Sequence, residues 1–174
     1  MVTIRPERAE DASQVRQVNE LAFGQPAEAD LIESLRRACT DALSMVAEEG
    51  ELVGHILFNP VAVEGAGRRV LGMGLGPMAV LPDRQRRGIG SQLVRRGLDI
   101  LRGRSCPFVV VVGHPHYYPR FGFEPASVHG LASQWEGVPD AAFMVLVLDE
   151  HAMAGVSGVA TYREEFSEVV SASE

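Results

Sequence analysis

The chain has 174 residues, 46% of them hydrophobic, and a formal net charge of −7. This length favours one domain with a single substantial core, and the composition excludes an intrinsically disordered protein. No apolar run reaches the roughly 18 residues that a membrane-spanning helix needs, and the charged N-terminus does not resemble a signal peptide. The cysteines Cys39 and Cys106 form neither a disulfide framework nor a spaced metal site. We therefore expect a cytoplasmic protein without a metal or a membrane partner.

Hydrophobic periodicity and turn residues divide the first half of the chain into helices and strands. Apolar residues at every third or fourth position predict each helix, and glycine-containing turns predict the hairpins. In chain order, the predicted elements are a strand at 2–6, a helix from a cap at Glu10 or Asp11 to about Phe23, a helix ending near Ala38, two β-rich runs around Glu49-Gly50, a turn at Gly65–Gly67, and a strand from Val70 to Leu81 that Pro82 stops.

The second half begins with an amphipathic helix and a short, continuous apolar run that is typical of a central strand covered on both faces. In chain order, the predicted elements are a helix from Gly88 to about Gly103, a strand at 108–112, a short helical or looped segment at Gly113–Arg120, a strand at Phe121–Pro125, a loop at 126–140, a strand at 141–149, and one short element in the tail that Tyr162 and Phe166 anchor.

This order of elements predicts the fold class. It does not show the strict strand–helix alternation of a doubly wound fold. It predicts an α/β protein with a mixed, largely antiparallel central β-sheet flanked by helices on both faces. We expect one domain at residues 1–149 and a C-terminal extension at 150–174.

The segment between a predicted strand and the following helix, residues 78–94, is suited to binding phosphate. Gly88 and Gly90 open the helix, where unsatisfied backbone amides and the positive end of the helix dipole attract anions. Neither glycine has a Cβ atom that would block close approach. Arg84, Arg86 and Arg87 add positive charge beside these amides.

Other phosphate-binding motifs do not fit the segment. A P-loop needs Lys, and the chain contains none. A dinucleotide fingerprint needs a third glycine where Leu93 stands, so a nucleotide-binding protein of another kind is disfavoured. Seven of the sixteen arginines lie between Arg84 and Arg104 in an otherwise acidic chain. One local basic patch suits a small polyanion better than a nucleic acid.

Two motifs resemble the GNAT acetyltransferase superfamily. Val80-x-Pro82 followed by Gln85–Gly90 is similar to its acetyl-CoA signature, Q/R-x-x-G-x-G/A. About 30 residues later, Tyr118–Phe123 is similar to its Y-x-x-x-G-F element. The resemblance spans about residues 2–149 and implies an acyl-CoA N-acyltransferase fold, with acetyl-CoA as the co-substrate and an amine as the acceptor.

The resemblance also implies which residues hold the cofactor. The residues matching 85–91 would bind the pyrophosphate through backbone amides, and the strand at 78–80 would bind the pantetheine arm. A bulge in the glycine-rich stretch 71–77 would splay this strand from the 108–112 strand and admit the arm. The implied cofactor residues are Met78, Ala79, Val80, Gln85, Arg86, Arg87, Gly88, Ile89, Gly90 and Ser91.

Direct transfer from the thioester to an amine requires an acid for the thiolate and a base for the amine. Tyr118 stands at the motif position that serves as the acid in many relatives, and Tyr117 is its neighbouring competitor. A backbone amide near Ala79–Val80 would polarise the carbonyl. Many relatives carry a Glu on the strand before the loop, but residues 70–81 contain no acid. His114 is therefore the leading base, with His116, Glu28, Glu33 and a water relay as alternatives.

Other functions and partners remain open at this point. A non-catalytic acyl-CoA-binding or regulatory module would share the phosphate site without needing Tyr118 or a base. The acceptor, a small-molecule or peptide amine, is not identified by any residue. Trp135 and Glu136, in the loop at 126–140, could line a pocket, and Trp135 is equally compatible with a hydrophobic plug. The family resemblance also leaves a homodimer open.

Overall fold

A computed structural model of the chain describes residues 1–167. The fold divides into two compact units. Among the described residues, unit 1 comprises Met1–Phe58, Gly76–Asp99 and 164–167, and unit 2 comprises Asn59–Leu75 and Ile100–Arg163. Within residues 1–167, no helix is both long enough and apolar enough to cross a membrane. Both cysteines are free thiols, as the sequence predicts.

Unit 1 contains the N-terminal strands and three helices. Its elements are β1 (Thr3–Pro6), a 3-10 turn (Ala9–Asp11), α1 (Ala12–Phe23), α2 (Ala27–Ala38), β2 (Leu43–Glu49), the start of β3 (Glu51–Gly65), the end of β4 (Arg68–Val80), a 3-10 turn (Pro82–Arg84) and most of α3 (Ile89–Gly103). Strand β2 pairs antiparallel with both β1 and β3. Gly50 has φ 78° and makes the tight turn between β2 and β3.

Helices cover both faces of the unit 1 sheet, as predicted. Leu57 belongs to a buried cluster with side chains of α1 and α2, such as Val15 and Leu35. The next residue, Phe58, points to the opposite face, because successive strand residues alternate. A Cβ atom at Gly97 of α3 would overlap the Phe58 ring, with 2.5 Å to its Cζ atom. Only glycine therefore lets α3 lie this close to the sheet.

Unit 2 is built mainly from short strands. It contains the end of β3, the start of β4 and these further elements: β5 (Phe108–Val112), a 3-10 helix (Tyr118–Phe121), β6 (Glu124–Pro125), a 3-10 helix (Ala126–His129), β7 (Leu131–Ser133), a 3-10 turn (Asp140–Ala142), β8 (Phe143–Val147), α4 (Glu150–Met153) and β9 (Gly158–Thr161). Among the described strands, β4–β5 and β7–β9 are parallel pairs, and the other pairs in this unit are antiparallel. The sheet is therefore mixed and largely antiparallel, as predicted.

Residues 150–163 are folded into unit 2. Strand β9 pairs with both β3 and β7. Tyr162, the residue that follows β9 in the sequence, is 8% exposed. The Trp135 ring lies against Tyr162 with 4.5 Å between the ring centroids. Within unit 1, Phe166 packs against the α1–α2 cluster. The segment 150–163 thus carries α4 and β9, and Trp135 makes a packing contact with Tyr162.

Two predicted segments differ most from the structure. The predicted strand Phe121–Pro125 is reduced to Glu124–Pro125, because a 3-10 helix ends at Phe121 and Gly122 follows with φ 97°. The predicted loop at 126–140 contains β7, which is only three residues long. Its partner is β9, and such a distant pairing leaves no periodic signal in so short a segment.

Candidate functional site

The segment from Leu81 to Gly88 forms a compact loop in unit 1. The Leu81 amide donates to the carbonyl oxygen of Val53 at 2.9 Å, which fixes the start of the loop on β3. The Arg84 amide donates to the Leu81 oxygen at 2.8 Å and closes a 3-10 turn. The side-chain amide of Gln85 then donates to the carbonyl oxygen of Val80 at 3.0 Å. The geometry of the loop thus depends on bonds at both of its ends.

The backbone after Gln85 forms a concave row of amides. Arg86 has φ 63° and Gly88 has φ 79°, two left-handed conformations separated by one residue. Alternation of this kind points successive N–H groups toward one side, where an anion can bind. A non-glycine residue with positive φ costs about 1–2 kcal/mol, so the conformation of Arg86 marks a place where strain is retained.

The amides in this row have no competing acceptor. Within residues 1–167, no protein oxygen accepts from the N–H groups of the five residues Arg86, Arg87, Gly88, Ile89 and Gly90. The first helical bond of α3 runs from the Gln92 amide to the Gly88 oxygen at 3.0 Å. Ile89 is 3% exposed and holds the helix start on the core. Backbone amides without a protein acceptor, at the positive end of a helix dipole, are suited to bind a pyrophosphate.

Two of the three loop arginines are available to an anion. Arg86 and Arg87 are exposed, and neither forms an ion pair with the residues that the structure describes. Arg84 differs from the expectation, because its guanidinium pairs with Glu49 at 2.6 Å and with Asp83 at 3.5 Å. The charge of Arg84 is therefore largely compensated, and the loop's free positive charge comes from Arg86 and Arg87.

The strand that precedes the loop supplies the other predicted cofactor residues. Met78 and Val80 are half-buried, whereas Ala79 is 3% exposed and belongs to the cluster beneath α1 and α2. The Val80 carbonyl is the acceptor for Gln85, so the strand and the loop are joined directly. Ser91 follows in the first turn of α3. All ten predicted cofactor residues thus occupy one continuous segment of unit 1.

The two predicted catalytic residues lie in unit 2, in the turn after β5. The carbonyl oxygen of His114 accepts from the Tyr117 amide at 3.1 Å and from the Tyr118 amide at 3.5 Å. The His114 side chain is exposed and has no bonding partner in the described part of the chain. The backbone of His114 therefore builds the turn, and its imidazole remains accessible to solvent.

Tyr118 is held in an aromatic cluster. Its side chain is 7% exposed and makes edge contacts with the rings of Tyr117 and Phe123, at centroid distances of 5.0 and 5.7 Å. A Cβ atom at Gly113 would overlap the Tyr118 ring, so the glycine leaves room for it. Burial raises the pKa of the Tyr118 phenol above its usual value, and the neighbouring Tyr117 adds to the effect. The phenol is consequently protonated at neutral pH.

The alternative acid and bases have other contacts. The Tyr117 ring lies 4.4 Å from the guanidinium carbon of Arg120. Glu28 accepts hydrogen bonds from Gln25, and Glu33 is paired with arginines of α1 and α2, Arg16 and Arg37. His116 is exposed. Within residues 1–167, no group of three His, Cys, Asp or Glu side chains could hold a metal ion.

The sequence analysis missed one polar cluster in unit 1. His55 is fully buried on β3 and is bonded to Asn19 and Ser44, and Ser44 is bonded to Glu7. The run LVGHILF around His55 is typical of a buried strand. A histidine within such a run was the available signal, because a buried imidazole requires hydrogen-bond partners.

Comparison with known proteins identifies relatives along most of the chain. The acetyltransferase (GNAT) domain family matches residues 3–126. Over 166 residues the chain is 37% identical to the uncharacterized N-acetyltransferase YhbS of Escherichia coli strain K12, covering 94% of this chain and 98% of YhbS. Over 120 residues it is 45% identical to the uncharacterized N-acetyltransferase YjhQ of the same strain, covering 67% of this chain and 66% of YjhQ.

Two solved structures share the fold at 36% sequence identity. The crystal structure of the GNAT family N-acetyltransferase YhbS from Escherichia coli in complex with CoA has a TM-score of 0.86 and covers 95% of this chain and 92% of that one. The crystal structure of a GNAT family acetyltransferase from Brucella melitensis in complex with acetyl-CoA has a TM-score of 0.76 and covers 95% and 98%. These matches confirm the predicted fold. The chain belongs to the GNAT family of N-acetyltransferase enzymes.

Proposed function

We propose that this protein moves an acetyl group from acetyl-CoA to a primary amine by direct attack in a ternary complex. One observation carries the proposal. Within residues 1–167, the backbone amides from Arg86 to Gly90 at the start of α3 have no protein acceptor, and Arg86 and Gly88 in this row are left-handed. Such a row is suited to a pyrophosphate, and acetyl-CoA carries one.

The choice of an acyl-CoA over another anion rests on the relatives. The YhbS structure is a complex with CoA, and the Brucella melitensis structure is a complex with acetyl-CoA. In our proposal, the amides of residues 85–91 hold the pyrophosphate, with Arg86 and Arg87 adding charge. Backbone groups of Met78, Ala79 and Val80 hold the pantetheine arm. When bound, acetyl-CoA supplies the activated acetyl group as a thioester.

The proposal gives Tyr118 and His114 complementary proton transfers. The amine nitrogen bonds to the acetyl carbon, and the carbon–sulfur bond breaks. Tyr118 gives its hydroxyl proton to the departing sulfur, and His114 takes the proton that the amine nitrogen loses. The protonated state of the Tyr118 phenol at neutral pH supports its part, because an acid must hold its proton until the thiolate forms. The exposed imidazole of His114 supports its part, because an acceptor amine can approach it.

The second candidate function is a non-catalytic acyl-CoA-binding or regulatory module. The absence of any acidic residue in the stretch 70–81 favours it, because many relatives place a Glu there. Both candidates require acyl-CoA binding, so binding alone does not separate them. Acetyl transfer to an amine does.

The first test is a thermal melt with acetyl-CoA, CoA and ATP at matched concentrations. Acetyl-CoA at 100 times its dissociation constant should stabilise the fold by about 2.7 kcal/mol, and ATP should have little effect. The variant Gly90→Trp should lose the shift, because the indole would fill the space in front of the amides. No shift at millimolar acetyl-CoA for the unaltered protein would refute the cofactor site.

The second test is turnover with a broad panel of primary amines. Tyr118→Phe should lower kcat while acetyl-CoA affinity stays within a few-fold, and Tyr117→Phe is the matched control. Full activity of Tyr118→Phe would remove Tyr118 as the acid. A protein that binds acetyl-CoA but acetylates no amine in the panel would support the non-catalytic module.

A further inference from the structure

Unit 1 contains a buried chain of hydrogen-bonded polar side chains that takes no part in the proposed reaction. The Asn19 side-chain nitrogen lies 2.9 Å from the Val15 oxygen and 3.1 Å from His55 Nδ1. On the other side of the ring, His55 Nε2 lies 2.9 Å from Ser44 Oγ. The Ser44 hydroxyl in turn donates to Glu7, whose carboxylate is paired with Arg36. Four separate segments, α1, α2, β2 and the turn after β1, meet at one histidine of β3.

The hydrogen bonds between these side chains can run in only one direction, from Asn19 toward Glu7. The Asn19 amide nitrogen donates to the Val15 oxygen, which cannot itself donate. The same nitrogen therefore faces His55 Nδ1 as a donor, and Nδ1 must accept. The proton of the neutral ring then lies on Nε2, which donates to Ser44, and Ser44 donates to Glu7. This tautomer excludes a Ser–His nucleophile pair, because Nε2 cannot take the serine proton.

A second proton on His55 has no place in this arrangement. It would reside on Nδ1 and point at the Asn19 nitrogen, so two hydrogen-bond donors would face each other without an acceptor. Rotating the Asn19 amide by half a turn would present its oxygen to Nδ1, but the same oxygen would then face the Val15 oxygen. The Asn19 oxygen itself is buried and has no hydrogen-bond partner within residues 1–167, so the bond to Val15 is what fixes the amide.

The charges around His55 do not favour a second proton either. His55 and Asn19 are both 0% exposed, so an imidazolium would be formed without water. Two charged groups face the ring: Glu7, 3.8 Å from Nε2, and Arg36 of α2, which pairs with Glu7. Arg36 compensates the carboxylate that would otherwise attract a proton to His55. From α1 and β2, the neighbours are the neutral Asn19 and Ser44. Burial and Arg36 together lower the pKa of His55 to about 3.

We propose that the Asn19–His55–Ser44–Glu7 chain is a proton-sensitive latch, which holds α1 against the β2–β3 hairpin only while His55 is neutral. Protonation removes the Asn19–His55 bond and places a cation in a site without water. Because the folded protein keeps His55 neutral, the unfolded chain binds a proton that the folded protein excludes as the pH falls below about 6.5, and the stability of unit 1 declines. This inference concerns the stability of unit 1 and does not depend on the proposed acetyl transfer.

The first experiment reads the ring directly in the unaltered protein. Nitrogen-15 NMR of the histidine side chains distinguishes a protonated ring, an Nδ1–H tautomer and an Nε2–H tautomer. We expect His55 to remain a neutral Nε2–H ring at pH 5 in the folded protein. An Nδ1–H tautomer, or a doubly protonated His55 at pH 5 in folded protein, would overturn the proposal. This measurement needs no variant, so it decides the question even if substitutions of His55 impair folding.

The second experiment measures unfolding by urea at pH 7 and pH 5 for the full chain and for His55→Gln. The pKa of His55 is near 6.5 in the unfolded chain and about 3 in the folded protein. The equilibrium constant for unfolding should therefore rise about 20-fold when the pH is lowered from 7 to 5. His55→Gln should lack this factor, and the matched control His116→Gln, at an exposed site, should keep it. Equal pH dependence in the unaltered protein and His55→Gln would overturn the proposal.

Discussion

The side-chain amide of Gln85 donates a hydrogen bond to the carbonyl oxygen of Val80, 3.0 Å away. The bond links the last residue of β4 to the residue that precedes the amide row, across the turn Pro82–Arg84. A glutamine at the first position of the motif thus acts on the protein's own backbone. Its role is to fix where the amides point, which is a requirement for preorganised anion binding.

Gln85→Ala should therefore weaken CoA binding without removing any proposed contact to the phosphates. A hydrogen bond of this kind contributes about 1 kcal/mol, which corresponds to a rise of about five-fold in Kd. Isothermal titration calorimetry measures this change. Gln92→Ala is the control, since Gln92 is exposed on the first turns of α3. An unaltered Kd for Gln85→Ala would mean that the loop keeps its shape without the bond.

Arg86→Asn should separate the charge of Arg86 from its backbone conformation. Asn adopts positive φ more readily than most residues, so the amide row should persist. We expect the Kd for CoA to rise by about three- to ten-fold at low salt, and the difference to shrink near about 0.5 M salt, because exposed charges are screened. Arg104→Asn, at an exposed arginine just beyond α3, should leave the Kd nearly unchanged. Equal effects of both substitutions would indicate only a general loss of charge.

Gly113→Ala should disturb Tyr118 without touching its hydroxyl. The added methyl group would overlap the tyrosine ring, so the ring or the backbone must move. Overpacking of this kind costs about 1–3 kcal/mol, and we expect a matching loss in the free energy of unfolding together with a lower kcat. In Gly103→Ala the methyl group would meet no atom within 4 Å, so this control should keep both values. A stable and fully active Gly113→Ala would show that the position of the ring is not critical.

Asp11→Asn should remove one component of the acid sensitivity of the fold. Arg5 donates two hydrogen bonds to the buried Asp11 carboxylate, at 2.6 and 3.0 Å, and lowers its pKa from 3.8 to about 2. The folded state thus binds this proton less tightly than the unfolded chain. The stabilisation is complete above about pH 4 and is lost as the pH falls toward 2. It amounts to roughly 2 kcal/mol.

Urea unfolding of the unaltered protein and Asp11→Asn should consequently differ most at neutral pH and converge near pH 2. Asp41→Asn, at an exposed aspartate, serves as the control and should follow the unaltered protein throughout. A difference between the unaltered protein and Asp11→Asn that does not change with pH would mean that Asp11 stabilises the fold by packing alone.

The regular elements and the loop that begins α3 could be predicted because their signals are local. Helix α2 and strand β5 have the bounds that periodicity indicated, and Gly50 marks the hairpin where it occurs. The amide row needs only a strand end, a short loop and a helix start, which all lie within residues 78–91. Each of these conformations depends on a few neighbouring residues.

The partners of individual side chains could not be predicted in the same way. Arg84 was expected beside the phosphate site, yet it pairs with Glu49, which is 35 residues away in the sequence. Strand β7 has only three residues and exists because β9 pairs with it. In both cases the deciding partner lies on a distant segment, and no pattern around the residue itself identifies it.

The sequence by itself determined the order of helices and strands, the mixed sheet, the loop that begins α3 and the family to which the chain belongs. Backbone preferences and hydrophobic periodicity are properties of short segments, so they can be read without a structure. Only the tertiary structure decided which polar groups meet. It buried His55 against Asn19, 36 residues away, and bonded Gln85 to the strand instead of leaving it to a ligand. Burial makes such contacts decisive, because a polar group removed from water is stable only beside a partner of the right kind.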